Sequence, residues 1–413
     1  MSKLAAGLLL MIGIASRAGA ATSSKLEPPD LSRYLRWGPL RARPAVELTQ
    51  LGYDDNILLG SNADEARRVG DYTATVSPKL DALMLFGHRA FFAYNGALGY
   101  TAYLHHSQQN FLNQYHTGRF TLPLGRFGLI VDGGYTRAKD RPADLEQVRI
   151  DRRERRLGFG GVLELGWRTE VELTTSRSRY DYDNPNAAIT AERLDRRTRE
   201  DRLQAGYRVK GRTRVTFELS RRALEFDNPL LFGGAPVRRD GESLSLLPGL
   251  ELGEGGTLTG TLRVGHGSVQ AEDPRLADLS LLVGDAQLAY RPTPRNLLRL
   301  ELHRQLQFAV YENNPYYIDS SGRAGALHYF TRLLGLEGAT TRGRLTFPGS
   351  EVGSSRADEY VRYELGLRLR LAETTLGRRL EYTLGVQRYR RNSSIDILDS
   401  SQTTFGVGAI VGY

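Results

Sequence analysis

The sequence contains no cysteine, so disulfide bonds and thiolate metal sites are excluded. Apolar runs long enough for a membrane-spanning helix are also absent beyond the N-terminus. Hydrophobic residues form 40% of the 413 residues, and the mean hydropathy is −0.39. No Walker loop, HExxH motif or EF-hand loop occurs. The chain is instead rich in glycine (45 residues) and tyrosine (21), and its net charge of +9 comes mostly from arginine.

The N-terminal residues have the three parts of a secretory signal peptide. Lys3 supplies a positive charge, residues 4–15 are apolar, and Ala18-Gly19-Ala20 fits an A-x-A cleavage site. The apolar stretch is too short to cross a membrane as a helix. We therefore predict a signal peptide at residues 1–20 and an exported mature chain, for which nucleic acid is not an expected partner despite the basic charge.

The rest of the chain alternates between apolar and polar residues nearly throughout. In VRYELGLRLRL, residues 361–371, leucines and Tyr363 occupy one face, while arginines and Glu364 occupy the other. LRLELHRQLQF, residues 298–308, repeats the pattern, although Arg304 interrupts its apolar row. Alternation with period two predicts β-strands that have one apolar and one charged face.

The length of the alternating segments indicates the type of β fold. A soluble β-sandwich is the plain alternative, but its strands average about five or six residues. Many segments here exceed about ten residues, the length that crosses a bilayer at a tilt, and short turns alternate with long polar loops. The pattern predicts an all-β fold, a single transmembrane antiparallel up-and-down β-barrel of about 18 strands, with 16 strands as the alternative.

Three parts of the chain follow from this interpretation. Residues 1–20 form the signal peptide, residues 21–45 a short periplasmic N-terminal segment, and residues 46–413 the outer-membrane barrel. The N-terminal segment is much shorter than the plug domain of an energy-coupled receptor, so that class is disfavoured. Among the predicted connections are a short turn at Gly338–Thr341 and a long loop at Glu312–Arg323.

The charged face of each strand should line the lumen of such a barrel. Opposite charges on neighbouring strands can pair, and the excess of arginine would bias the pore towards anions. The predicted pore-lining residues are Arg202, Arg208, Arg214, Glu218, Arg299, Glu301, Arg362, Glu364, Arg368 and Arg370.

The string YDDN, residues 53–56, stands where the first strand should leave the membrane, and similar strings open later loops. Asp and Asn close Asx turns, so a structural role is the main interpretation. The alternative is a ring of acids and aromatics that contacts sugars or binds Ca²⁺. A catalytic pair of Asp54 and Asp55 is disfavoured, because strand neighbours point to opposite faces. The loop-mouth candidates are Tyr53, Asp54, Asp55, Asn56, Tyr182, Phe226, Tyr311, Tyr316 and Tyr317.

Serine stands beside histidine in HHSQ, residues 105–108, and in GHGS, residues 265–268. Sequence neighbours on a strand face opposite ways, so neither string makes a catalytic dyad. We therefore expect no enzymatic activity, no cofactor and no metal site.

The two ends of the barrel carry family-like patterns. The last strand, TTFGVGAIVGY, ends on the ring of Tyr413 and resembles the terminal signal that the barrel-assembly machinery binds, except that Gly406 stands where a polar residue is expected. The opening VELTQLGYDDNILLG, followed by a strand with Pro78-Lys79-Leu80, resembles the outer-membrane barrels encoded with exopolysaccharide biosynthesis systems (EpsL type, grouped as putative β-barrel porin 2). This motif covers only the N-terminal part of the mature chain.

The resemblance implies an exit conduit for a secreted exopolysaccharide or capsular polysaccharide that works with a periplasmic polysaccharide-export protein. The residues alone support a wide barrel and nothing finer, so a general or substrate-selective porin for small solutes stays the alternative. In both cases we expect the protein in the outer membrane of a Gram-negative bacterium after signal-peptide cleavage, in contact with lipid and lipopolysaccharide.

Overall fold

The structure is a computed structural model of the chain. It describes residues 26–29, 31–32, 34–62, 64, 68–87, 90–141, 149–183, 191–232, 235–253, 255–309, 316–349, 351, 354–373 and 379–412. The predicted signal peptide, Tyr311 and Tyr413 lie outside the described residues.

Strands make up most of the described chain, with three single 3₁₀ turns at Ser107–Gln109, Ala191–Leu194 and Asp396–Leu398. The strands are β1 (Leu35–Trp37), β2 (Leu40–Asp54), β3 (Asp71–Phe86), β4 (Ala90–Tyr103), β5 (Phe111–Leu124), β6 (Phe127–Asp140), β7 (Ile150–Leu165), β8 (Thr169–Asp183), β9 (Arg196–Lys210), β10 (Thr213–Phe226), β11 (Leu230–Phe232), β12 (Ala235–Val237), β13 (Gly241–Leu252), β14 (Leu258–Ala271), β15 (Leu279–Thr293), β16 (Asn296–Phe308), β17 (Tyr316–Tyr329), β18 (Leu334–Phe347), β19 (Arg356–Glu373), β20 (Arg379–Ser393) and β21 (Ser400–Gly412).

Eighteen of these strands, β2–β10 and β13–β21, form one closed antiparallel barrel. Each strand pairs with the next barrel strand along the chain, and β2 pairs with both β3 and β21, which closes the sheet. Closure satisfies the backbone groups that a sheet edge would expose to lipid. The predicted all-β barrel of about 18 strands is therefore confirmed.

Short turns join the strands at one end of the barrel, which is the periplasmic end in outer-membrane proteins. Gly87, Gly125, Gly166 and Gly211 adopt φ angles between 55° and 76° in four of these turns, where a residue with a Cβ would be strained. The sequence predicts each of these four turns at the position where the structure has it.

The predicted turn at Gly338–Thr341 is wrong, because these residues lie inside β18. The turn spans residues 330–333, where the Thr331 hydroxyl accepts hydrogen bonds from the backbone N–H groups of Leu333 (3.1 Å) and Leu334 (3.0 Å). A side-chain oxygen closes the turn without glycine, and this pattern is weaker in sequence than a Gly-rich string.

The predicted loop Glu312–Arg323 is wrong over its second half, because β17 begins at Tyr316 and pairs with β16 and β18. The small and polar string DSSG, residues 319–322, has the composition of a loop. In the strand, Asp319 is buried and Gly322 packs beside Leu302 of β16.

The N-terminal end of the barrel differs in detail from the predicted boundary. β2 begins at Leu40, so residues 40–45 of the predicted N-terminal segment belong to the first barrel strand. β21 pairs with β2 only as far as Ala45, and the short strand β1 pairs with residues 40–42 beyond it. β1 thus covers the part of the β2 edge that β21 does not reach. Within the described ranges, no helix is long and apolar enough to cross a membrane.

The apolar side chains divide between two places. Leu365, Leu367 and Leu371 are 53%, 45% and 47% exposed on the outer surface, where lipid would cover them. Other apolar side chains form buried clusters inside the barrel, two of them towards the strand ends that carry the long loops. A third cluster, Leu26 with Ile130 and Val162, lies near the short turns. Among the described residues, buried apolar side chains therefore narrow the lumen towards both ends.

Candidate pore and extracellular mouth

The polar row of each strand forms the inner wall. Arg263 of β14 shows the arrangement: it contacts Glu218 of β10 (2.7 Å) and Asp285 of β15 (3.1 Å), while its neighbours Leu262 and Val264 are exposed on the other face. The alternation of side chains and the strand register place the predicted pore-lining residues on this inner face. They are Arg202, Arg208, Arg214, Glu218, Arg299, Glu301, Arg362, Glu364, Arg368 and Arg370.

Most of these arginines face a carboxylate. Arg370 lies 3.9 Å from Glu381, and the predicted acid Glu364 lies 2.6 Å from Arg323 of β17. The other pairs are Arg214–Glu170, Arg299–Glu337, Arg202 with Glu200 and Glu218, and Arg368 with Glu337 and Glu381. The fixed charge of the wall is therefore compensated at many positions by ion pairs, and the bias of the pore towards anions stays a prediction.

Sequence reasoning missed the acidic residues that pair with the arginines of the inner wall. Glu170, Glu200, Glu337 and Glu381 each contact a predicted pore-lining arginine, three of them an arginine of another strand. Pairing across strands depends on the register between segments that are tens of residues apart. Alternation identifies the face of each acid, but it does not identify the arginine opposite.

Two of the predicted arginines lack such a partner. Among the described residues, no carboxylate lies within 4.0 Å of Arg208 or Arg362. The Arg362 guanidinium lies over the ring of Tyr389 at 5.5 Å. At these two positions the inner wall keeps positive charge that no described carboxylate neutralises.

The YDDN string forms a tight strand exit. The backbone N–H of Asn56 donates to Asp54 Oδ1 at 2.9 Å, which is an Asx turn, and Gln402 of β21 donates to Asp54 Oδ2 at 2.6 Å. The Thr403 N–H donates to Asp55 Oδ1 at 2.6 Å. Both carboxylates therefore accept hydrogen bonds that join the first strand to the last.

Asn56 anchors the loop that follows and is fully buried. Its Nδ2 donates to the carbonyls of Gly60 (3.1 Å) and Ser401 (2.9 Å), and its Oδ1 accepts from the Gly60 N–H at 2.9 Å. These bonds hold residues 57–60 against the neighbouring wall. Arg141, from the loop after β6, also donates to the carbonyl of Ile57.

The loop after β2 turns into the lumen rather than away from it. Leu59 is buried with Tyr317, Phe347, Tyr360 and Tyr389, which belong to β17–β20. The rings of Tyr317 and Phe347 lie 5.1 Å apart, and those of Tyr360 and Tyr389 lie 6.4 Å apart. We call these five residues the mouth cluster. It packs aromatic rings against one another inside the barrel at its extracellular end, where they are buried.

A second loop, residues 227–240 with the hairpin β11–β12, approaches the mouth from β10 and β13. Arg239 is buried, its guanidinium lies 4.1 Å from the Phe226 ring centroid, and its carbonyl accepts from the Tyr316 hydroxyl at 3.5 Å. The next loop clamps this one, because Arg275 donates to the Pro236 carbonyl at 2.7 Å. The hydrogen bond from Arg275 lowers the pKa of Asp273 to about 2, so this clamp stays ionised at ordinary pH.

The remaining loop-mouth candidates separate into inner and outer positions. Tyr53 is exposed on the outer surface, and its ring meets that of Tyr72 at 5.3 Å in an edge contact, as in an interfacial girdle. Tyr182 packs on the buried pair Ile150 and Leu194, with Arg196 at 5.2 Å from its ring. Tyr182, Phe226, Tyr316 and Tyr317 thus lie at the rim, but only Tyr317 belongs to the mouth cluster.

The two adjacent histidines of HHSQ form hydrogen bonds with an aspartate carboxylate and not with the serine. Both His105 and His106 place Nδ1 at 2.9 Å from the buried Asp71 carboxylate, which also accepts from their backbone N–H groups. In the part of the chain that the structure describes, no group of three or more His, Asp or Glu residues could hold a metal ion.

The fold is similar to that of outer-membrane proteins of known structure. The FrpB iron transporter of Neisseria meningitidis superposes with a TM-score of 0.51 at 10% identity, over 88% of this chain and 63% of that chain, so the present chain spans under two thirds of the transporter's length. The outer membrane protein OpdK of Pseudomonas aeruginosa gives a TM-score of 0.48 at 14% identity, over 90% of this chain and 99% of that chain.

A comparison of the sequence with curated proteins gave no match. A family model described as "Putative beta-barrel porin 2" matches residues 35–413, which is nearly all of the barrel. The closed barrel and this match place the protein in the outer membrane of a Gram-negative bacterium, with a porin-like transport fold. The chain belongs to the putative β-barrel porin 2 family.

Proposed function

We propose that this barrel is the outer-membrane exit conduit for a secreted polysaccharide and catalyses no reaction. The observation that carries the proposal is the combination of a compensated polar wall with the mouth cluster. An extended sugar chain needs hydrogen-bonding groups along its path, and the ion pairs of the wall supply donors and acceptors without a strong net field. The mouth cluster is buried, so its packed rings set the shape of the extracellular opening through which the chain would leave.

The family resemblance supports the same proposal and suggests a partner. Barrels of the EpsL type are encoded with exopolysaccharide biosynthesis systems, and a periplasmic polysaccharide-export protein would deliver the polymer to the end with the short turns. Strand β1 and those turns are the parts of the described chain that such a protein would meet first.

Variants of the mouth cluster test this function in the native host. The gene is deleted with polar effects controlled and is then complemented with Tyr360→Ala/Tyr389→Ala, which removes two packed rings that shape the mouth. Tyr363→Ala is the matched control, because Tyr363 lies on the same strand but is 51% exposed on the outer surface. We expect the double variant to secrete less polymer and the control to secrete normally.

A selective porin for small solutes is the second candidate, and the inward loop favours it. The mouth cluster with Leu59 narrows the lumen where a wide polymer path would be open. Uptake of small nutrients and secretion of polymer are therefore measured in the same deletion strain. Normal secretion with reduced uptake would overturn the conduit and support the porin.

A further inference from the structure

A groove lies on the outer surface of the barrel over β14–β20, with a cavity volume of about 740 Å³. The floor of the groove is recessed relative to its sides, because its outward-facing residues, Gly284, Ser320 and Gly322, are small. Its sides combine apolar and basic side chains: Leu262, Val264, Leu282, Leu302, Val361, Arg304, Arg342, Arg344 and Arg390. This mixture is unusual for a surface that faces lipid.

The strand register proves that these arginines point outwards. One cross-strand row runs Leu302–Gly322–Arg342–Val361–Arg390 over β16–β20, and cross-strand partners share a face. Leu302 is 47% exposed on the outer surface, so Arg342 and Arg390 lie there too. The next row places Arg304, Ser320 and Arg344 beside one another on the same face. Arg304 is the residue that interrupts the apolar row of its strand.

The groove carries more positive charge than it can neutralise. Glu359 is the acid on its outward rows, and its carboxylate lies 4.0 Å from Arg344. Arg304 donates to the Leu282 carbonyl (3.0 Å) and the Ser320 hydroxyl (2.8 Å), which are neutral groups. Among the described residues, Arg342 has no hydrogen-bond or ion-pair partner.

Some outward arginines elsewhere on the barrel pair with acids of the protein. On β8 and β9, Arg179 contacts Asp181 at 2.8 Å and Arg199 contacts Asp201 at 3.1 Å. The groove differs from those strands in its shape, because small residues leave a recess beside its guanidinium groups. An anion from outside the chain can therefore enter and pair with them.

The height of the groove indicates which anion is available. Arg304 and Arg342 each lie about nine residues from the periplasmic turn of their strand. At a rise of about 3.3 Å per residue and a tilt of roughly 40°, this places them ~20–25 Å above the turns, at the top of an apolar band about 25 Å tall. Charged groups are tolerated there, and lipid phosphates lie at that level.

We propose that this groove is a binding site for the phosphorylated lipid A part of lipopolysaccharide. The guanidinium groups of Arg342, Arg344 and Arg390 bind its phosphates, since arginine pairs with phosphate through two parallel hydrogen bonds. An acyl chain lies on the floor over Gly322, against Leu302 and Val361. The site is independent of what passes through the lumen.

Native mass spectrometry of the purified, delipidated barrel tests the proposal. The probes are bisphosphorylated lipid A, lipid A without phosphates, and phosphatidylglycerol. We expect wild type to retain bisphosphorylated lipid A at least about tenfold more tightly than either other lipid, which corresponds to ~1.4 kcal/mol. Arg342→Ala/Arg344→Ala/Arg390→Ala should abolish this preference.

The control triple variant Arg291→Ala/Arg295→Ala/Arg332→Ala removes the same charge at the periplasmic end and should bind like wild type. Gly322→Leu fills the floor while it leaves every arginine in place, and it should also weaken binding. Gly322→Leu also tests the proposal if the triple arginine variant fails to assemble. Equal loss in both triple variants, equal binding of lipid A without phosphates, or equal binding of phosphatidylglycerol would each overturn the proposal.

Discussion

Replacement of Asn56 by alanine should release the inward loop and widen the pore. The substitution removes three hydrogen bonds of a fully buried side chain and leaves two backbone carbonyls and one N–H without those partners. A buried group that loses its partner costs about 1–3 kcal/mol, so the docked loop should lose at least ~3 kcal/mol. That amount is more than a hundredfold in the equilibrium between docked and released loop.

Planar-bilayer recordings measure the outcome directly. Release of the loop withdraws Leu59 from the mouth cluster, so the single-channel conductance of Asn56→Ala should rise and its current should become noisier. Asn62→Ala is the matched control, since Asn62 lies in the same loop and, among the described residues, its side chain accepts one exposed hydrogen bond, from the Ser401 hydroxyl. An unchanged conductance in a fully assembled Asn56→Ala barrel, or an equal rise in the control, would refute this account of the loop.

Three further predictions concern the wall, the pore charge and the outer loops. Leu367→Arg should cost about 2–4 kcal/mol if Leu367 lies at mid-bilayer, measured by urea refolding, and full stability would contradict the outward register. Glu381→Gln leaves Arg368 and Arg370 without this carboxylate, so reversal potentials should shift towards anions, while Glu359→Gln on the outer face should not change them. The pKa of Asp273 is lowered to about 2, so its ion pair with Arg275 stabilises the loop above the ordinary aspartate range, and this stability is lost as the pH falls towards 2. The current noise from the loop should therefore stay constant from pH 7 to 4. In Asp273→Asn the same noise should appear already at pH 7.

The barrel was predictable because its two faces differ at every second residue. Leu365 and Leu367 on one row and Glu364 and Arg368 on the other define a strand without any knowledge of its neighbours. The turns at Gly87 and Gly125 were predictable for a similarly local reason, because a positive φ selects glycine. The turn at residues 330–333 was not predicted, because a threonine hydroxyl closes it and no glycine marks it in the sequence.

The site was less predictable, because its contacts join distant segments. Glu337 faces two arginines from other strands, and Leu59 meets rings that follow it by more than 250 residues. No local pattern carries this information. Tyr317 was predicted as a loop-mouth residue because it lies in the predicted loop Glu312–Arg323, whereas Tyr360 and Tyr389 of the same cluster looked like ordinary strand residues.

Irregularities in the alternation point to the outer surface rather than to errors in the pattern. Arg304 breaks an apolar row, and the small string that contains Ser320 and Gly322 resembles a loop, yet both features meet at the groove over β14–β20. The wall of the lumen is compensated at many positions, and part of the basic charge of the sequence lies outside, where unmatched arginines meet the outer leaflet. Net charge alone therefore predicted that a partner is anionic. The strand register shows whether the basic side chains face the lumen, where a partner passes through, or the outer surface, where it binds from the membrane.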